Sequence, residues 1–281
     1  MSLDPVAVQS LVRGALDEDL GGGRDITTEA LVPPEARARG LIVAREPFVV
    51  AGLPLAREVF RQLDAGLIWT AVDEGAEAAA GDTIASVEGA ARPILTGERT
   101  ALNFLQRLCG IATQARIASK EVEGTGAVVL DTRKTTPMLR AAEKHAVAIG
   151  GASNHRMGLH DAVLIKDNHV ALAGGVGRAM ALAREAGLRP GDIEIEVSDL
   201  REVGEALEAG AGRILLDNVT PEEAREAVRM VAGRAIVECS GGLRPGFLRP
   251  YALAGADYLS LGWLTHSARA VDISMEVQPI R

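Results

Sequence analysis

From Ala127 onward the chain alternates short β-rich runs with helical sequence, and this alternation limits the fold more than any other feature. Candidate strands are 127–130, 162–165, 193–197, 213–216, 235–238 and 257–261, with starts 35, 31, 20, 22 and 22 residues apart. Such spacing leaves room for a crossover helix in most gaps and implies parallel strands. Each run ends in polar or glycine residues: Asp131-Thr132-Arg133-Lys134, Lys166-Asp167-Asn168, Ser198, Asp217-Asn218, Ser240-Gly241-Gly242 and Gly262. A (β/α) barrel carries its chemistry at the C-terminal ends of all its strands, whereas a doubly wound sheet concentrates it at one switch point. The barrel fits better. Eight units usually need about 250 residues, and 127–266 is much shorter, so six or seven strands, open on one side, are expected.

The region before the array has a different rhythm. Residues 5–19 read as an amphipathic helix ended by Gly21-Gly22-Gly23, with β segments at 41–44, 48–51, 67–72 and 83–87 and a helix at 55–63. This predicts a small α+β domain of roughly one hundred residues. An apolar stripe through 94–120 predicts a long helix, with Thr96 or Gly97 as its cap. Arg99 then falls in the first turn, where a cation opposes the helix dipole. It is either a solvated residue or one placed to reach an anion.

The chain has a formal net charge of -8, yet the stretch 131–170 holds six Lys or Arg against four acids, and four of the five histidines. A cationic patch in an acidic protein is either a focused site for a small anion or a solvated basic face. The acidic balance argues against duplex binding, and 3% aromatic content against a single-strand platform. No apolar run of about 18 residues is present to span a bilayer, and residues 1–23 lack the apolar core of a signal peptide. Cys109 and Cys239 match no metal or redox spacing. A cytoplasmic protein is expected.

Ser240-Gly241-Gly242 and Gly262-Trp263-Leu264-Thr265-His266 follow the last two strands, the usual phosphate position of a barrel; the other reading is ordinary turns. Glu194 and Glu196 share one strand face by alternation. With Asp217 they could hold Mg²⁺ or sugar hydroxyls, or could be carboxylates paired with a nearby Lys or Arg. Lys166 ends an apolar strand, which is also where Schiff-base lysines sit in barrel aldolases.

Asp131-Thr132-Arg133-Lys134-Thr135-Thr136-Pro137, Asn154-His155-Arg156 and Leu164-Ile165-Lys166-Asp167-Asn168-His169 resemble the quinolinate phosphoribosyltransferases. So do Gly97-Glu98-Arg99-Thr100-Ala101-Leu102-Asn103, Leu215-Leu216-Asp217-Asn218, Ser240-Gly241-Gly242 and Leu264-Thr265-His266-Ser267, in order along nearly the whole chain. The resemblance implies an N-terminal α/β sandwich (1–110, joined by the tail 268–281) and an open seven-stranded α/β barrel (111–267). It implies a homodimer whose subunits share active sites, and which could assemble further. It also implies a reaction joining quinolinate to 5-phosphoribosyl 1-pyrophosphate with Mg²⁺, giving nicotinate mononucleotide, pyrophosphate and CO₂ in NAD biosynthesis.

By the same resemblance Arg133, Arg156 and a partner-supplied Arg99 hold the quinolinate carboxylates, with Lys134, His155 and Lys166 completing a cationic wall. Glu196 and Asp217 position the ribose and the magnesium, and Ser240, Gly241, Gly242, Gly262 and His266 bind phosphates. Lys134, Lys166, Glu196 and Asp217 are the expected catalytic set. Three departures stand out: Cys239 where Ala or Ser is expected, Met138 where Gly is expected, and Ala152-Ser153 before Asn154. A related family associated with molybdenum transport shares several motifs, but the set Arg99, Arg133, Arg156 and Lys166 favours quinolinate. A Lys166 Schiff-base aldolase and a non-catalytic anion-binding protein remain as alternatives.

Overall fold

The computed structural model describes residues 3–280. The first ninety residues form helices α1 (Pro5–Leu20) and α2 (Ile26–Leu31), strands β1 (Arg37–Ala44) and β2 (Phe48–Val49), and helix α3 (Leu53–Leu63). Strands β3 (Ile68–Ala71), β4 (Glu77–Ala78) and β5 (Thr83–Ala90) follow, then the long helix α4 (Ala91–Glu121). The alternation then begins with β6 (Val128–Leu130), α5 (Arg140–Ile149), β7 (Val163–Ile165), α6 (Asp167–Ala173), α7 (Val176–Glu185) and β8 (Ile193–Val197). It continues through α8 (Leu200–Glu208), β9 (Arg213–Asp217), α9 (Pro221–Val231), β10 (Ile236–Ser240), α10 (Arg249–Ala254), β11 (Tyr258–Ser260) and α11 (Trp263–His266). Strand β12 (Ile273–Ile280) is last. Residues 1–116, 136–151 and 268–281 make one compact unit, and 117–135 and 152–267 a second.

In the first unit an antiparallel sheet runs β12–β1–β5–β3, beside a two-stranded ladder of β2 and β4. Strand β12 pairs along all of β1, from Arg37↔Ile280 to Ala44↔Ile273. Helix α1 starts where Asp4 accepts the Val6 N–H (3.0 Å) and Pro5 occupies the first turn, and it stops at Gly21, whose φ is +59°.

Helix α4 begins at Ala91, not at Thr96 or Gly97, so Arg99 stands in its third turn rather than its first. Pro93 does not interrupt the helix, because an amide in the first turn has no intrahelical acceptor to lose. The Thr96 hydroxyl donates to Asp25 Oδ2 (3.1 Å) instead of capping. The dipole penalty argued for Arg99 therefore does not apply.

The second unit is a six-stranded parallel sheet ordered β6–β11–β10–β9–β8–β7. From β7 to β11 each strand lies beside its successor, and the last array strand, β11, lies beside the first, β6. That is the winding of a barrel and not of a doubly wound sheet. On the outer side of β6, Ser153 forms a one-residue parallel bridge to Leu130. This is the seventh position, and among the described residues no ladder links it onward to β7. The barrel is open there.

The register sorts the side chains into two faces. Ile193, Ile195, Ile214, Leu216, Val237, Cys239 and Leu259 share one face and are all buried. The other face carries Glu194, Glu196, Arg213, Asp217, Glu238, Ser240, Tyr258 and Ser260, with Leu215 and Ile236 among them, matched laterally by Glu194↔Arg213, Ser240↔Asp217 and Glu238↔Tyr258. An apolar face covered by helices holds the sheet, and a polar face is left for chemistry.

Candidate active site

The polar face ends in a mouth built from the loops after the strands. Lys166, directly after β7, extends its ammonium to Glu196 Oε2 on β8 (3.3 Å). Its side chain is 48% exposed, while Glu196 is buried. A half-exposed lysine on a carboxylate lacks the apolar desolvation that activates a Schiff-base nucleophile. Asp217 ends β9, and its Oδ2 accepts from Asn218 Nδ2 (2.6 Å).

After β6 the chain is held by Asp131, which is fully buried. Its two carboxylate oxygens accept from the His155 N–H (2.8 Å) and from Asn154 Nδ2 (2.7 Å). One buried acid thus ties the loop carrying Arg133 and Lys134 to the segment carrying Arg156. Burial, and then the nearby charge of Arg133, push the Arg156 guanidinium below its usual pKa. The Glu194 and Asp161 carboxylates act on Arg156 in the opposite sense, and an anion bound beside both guanidiniums would offset their repulsion further.

Lys134, Gly262 and His266 also converge. A Cβ on Gly262 would lie 2.9 Å from both Lys134 Cδ and His266 Nε2, so any larger residue there would push one of these side chains aside. The Thr265 hydroxyl donates to the Lys134 carbonyl (2.8 Å), fixing the loop after β11 against the loop after β6. Gly241 has φ +90°, and a Cβ there would meet Asn218 N at 2.5 Å, so the loops after β9 and β10 touch through backbone. Ser240 and Gly242 flank that contact, with the Ser240 carbonyl accepting from the Asn218 N–H (3.0 Å).

His155 differs from the other expected wall residues. Its ring turns into the polar interior, with Nε2 3.2 Å from Glu194 Oε2 and 3.5 Å from Glu238 Oε1. The Arg156 N–H donates to Nδ1 (2.7 Å). Burial opposes charge on this ring, but the two carboxylates outweigh it and raise its pKa to about 9. Burial also raises the Glu194 carboxyl. Because Nδ1 accepts the Arg156 N–H, the ring nitrogen that carries a proton toward Glu194 and Glu238 is Nε2. The three side chains have ligand atoms within 4.8 Å of one another, but Arg213 Nη1 lies 3.5 Å from Glu238 and 3.9 Å from Glu194. A guanidinium already supplies the positive charge that a metal ion would bring.

Sequence reasoning missed Glu238 as a partner of His155, and Arg213 as the cation beside Glu194 and Glu238. Alternation could have found them, since Glu238 lies two residues before Ser240 and Arg213 four before Asp217, on the same face. Arg99 lies in the first unit, exposed on α4. Asn103, one turn on, lines a cleft of about 630 Å³ with Thr100 and Arg107 of α4 and residues of α1.

Residues 25–109 match the quinolinate phosphoribosyl transferase N-terminal domain, and residues 111–276 match the C-terminal domain. The chain is 42% identical over 277 residues to the nicotinate-nucleotide pyrophosphorylase [carboxylating] of Mycobacterium leprae, covering 96% of this chain and 97% of that one. The human protein of the same name is 38% identical, with 98% and 93% covered. The crystal structure of NadC from Streptococcus pyogenes superposes with a TM-score of 0.93 at 37% identity, covering all of both chains. Strand-end chemistry, open-barrel winding and both domain matches agree, and the chain belongs to the quinolinate phosphoribosyltransferase family.

Proposed function

We propose that this enzyme joins quinolinate to 5-phosphoribosyl 1-pyrophosphate and releases pyrophosphate and CO₂, forming nicotinate mononucleotide for NAD biosynthesis. The observation that carries the reading is that Asp131 ties the loop of Arg133 and Lys134 to the segment of Arg156 at a mouth that also holds Lys166. Quinolinate is a planar dianion with adjacent carboxylates, and forked guanidinium donors match each carboxylate in two places. Arg133 and Arg156 hold these carboxylates, with Lys134 and Lys166 adding positive charge. His155 supports them from behind. Arg99 reaches the substrate from a second subunit, closing a site shared across a homodimer.

The ribose and its phosphates lie over the β8–β11 loops. Glu196 and Asp217 are oxygen donors on neighbouring strands, suited to a hard cation that keeps most of its ligands from water and substrate phosphates. They would hold Mg²⁺, which when bound neutralises the diphosphate leaving group. Backbone at Gly241, Gly242 and Gly262, with Ser240 and His266, receives the phosphates.

The pyridine nitrogen forms a bond to ribose C1 as the C1–O bond to pyrophosphate breaks, and the electron pair leaves with pyrophosphate. Charge develops on sugar and leaving group, so fixed cations and dipoles supply most of the acceleration. The pyridinium nitrogen then stabilises the carbanion left when the C2 carboxylate departs as CO₂, and C2 takes up a proton. No protein nucleophile is required.

Incubation with both substrates and Mg²⁺, following CO₂, pyrophosphate and nicotinate mononucleotide, tests the reading. Equimolar release of all three is expected, and binding of quinolinate without CO₂ would overturn catalysis. Arg133→Ala, verified as folded, should lower kcat/KM by at least about a hundredfold, because a substrate carboxylate loses its charged partner.

A further inference from the structure

The barrel interior beneath the mouth is ionic where a barrel is normally filled with branched apolar side chains. Glu238 is fully buried and Glu194 nearly so. The Ser260 hydroxyl donates to Glu238 Oε1 (2.5 Å), His155 Nε2 stands 3.5 Å from the same oxygen, and Arg213 Nη1 lies 3.5 Å from Oε2. The Arg213 guanidinium also stacks over the Tyr258 ring at 4.6 Å. Buried ion clusters of this kind are often no more stable than well-packed apolar residues of the same volume. Burial energy alone does not explain why the cluster is there, and the reaction chemistry uses none of Glu238, Arg213 or Ser260.

What the cluster holds is specific. Four of its side chains, Glu194, Arg213, Glu238 and Ser260, sit on rigid strands, while His155 sits on the segment 154–156, which has no helix or strand of its own. That segment is pinned at two places: the backbone of His155 and the side chain of Asn154 are fixed by Asp131, and the His155 ring by the interior carboxylates. The ring passes the constraint on through Nδ1, which accepts the Arg156 N–H. The Arg156 guanidinium is braced further by donating to the Ala162 carbonyl (3.1 Å). A substrate-binding arginine on irregular backbone needs such a support to keep its fork within the narrow tolerance of bidentate recognition.

We propose that Glu238, backed by Arg213 and Ser260, is a positioning residue for the pyridine dicarboxylate: it fixes the His155 ring and, through it, the direction of Arg156. This rests on the assignment of quinolinate as substrate. Arg156 contacts the carboxylate in ground state and transition state alike, so disturbing it removes uniform binding. The effect belongs in KM for quinolinate, and not in kcat or in KM for the ribosyl donor, whose loops leave β8 to β11.

The experiment is steady-state kinetics with each substrate varied, on wild type, Glu238→Gln, Ser260→Ala and Ser260→Thr, with thermal melts alongside. Glu238→Gln should raise KM for quinolinate at least tenfold, leaving kcat and the ribosyl donor KM within twofold. Ser260→Ala should give a twofold to threefold rise in the same constant, and Ser260→Thr should restore it. A folded Glu238→Gln with unchanged quinolinate KM overturns the proposal, as do both KM values and kcat shifting together with the melting temperature. Should Glu238→Gln fail to fold, an unchanged quinolinate KM in Ser260→Ala overturns it instead. If wild type itself forms no nicotinate mononucleotide, the substrate assignment fails; if wild type turns over and the variants do not discriminate, only the positioning role does.

Discussion

Met138 has a φ of +66° and is 89% exposed, in the turn after the basic loop. For a residue with a Cβ this left-handed conformation costs about 1–2 kcal/mol, and an exposed side chain recovers little of it. Asn218 adopts φ +56° more cheaply, since its short polar side chain tolerates that region. Replacing Met138 by Gly removes the strain but adds about 0.4–1 kcal/mol of unfolded-chain entropy. The strain is the larger effect, so Met138→Gly should raise the melting temperature by about 1–3 °C. Met138→Ala, which keeps the Cβ, should bring no gain; calorimetry on the two variants separates strain from side-chain effects. The sequence made Met138 conspicuous only through the family resemblance, because nothing in the residues themselves declares a positive φ. Arg133 and Lys166 were readable because strand ends fix where such residues stand. The inward ring of His155 was not, because irregular backbone has no alternation to say which way a side chain faces.

At the scale of elements, the array strands were legible to within two residues at each end, and β8 was legible throughout, since all five of its residues are buried and apolar or paired. Helix α4 was misplaced at its start because a threonine and a glycine resemble a cap when read locally. The structure instead uses Gly97 for packing, its Cβ position 2.8 Å from Leu63 Cδ1 on α3. Gly110, deeper in α4, is a sharper case. Helix propensity alone says that Gly→Ala should stabilise by about 0.8–1 kcal/mol. A Cβ at Gly110 would stand 2.0 Å from the Arg269 carbonyl oxygen, which is backbone and cannot swing aside. Overpacking of this kind costs about 1–3 kcal/mol or more, and contact with backbone belongs at the upper end. Gly110→Ala should therefore destabilise despite its propensity, and limited proteolysis should cut near 268–272 sooner, ahead of the β12 ladder. A raised melting temperature would show that the tail moves aside freely.

At the scale of the whole molecule, the residues proposed to hold quinolinate fall in different compact units, with Arg133, Arg156 and Lys166 in the second and Arg99 in the first. The order of motifs along the chain made all four visible but could not say whether one subunit or two brings them together. If Arg99 is supplied by a neighbouring subunit, each site takes Arg133 from one chain and Arg99 from the other. Arg99→Ala and Arg133→Ala are then each inactive as homodimers but complementary when mixed. A heterodimer contains one site lacking both arginines and one site lacking neither. Random reassociation makes half the dimers mixed, so about one quarter of all sites should regain wild-type kcat. The measurement is activity after dissociating and refolding the two variants together, at a series of mixing ratios. Recovery should follow the product of the two mole fractions and peak at equal amounts. Activity no higher than the sum of the separately refolded variants would mean that every site draws Arg99 from its own chain.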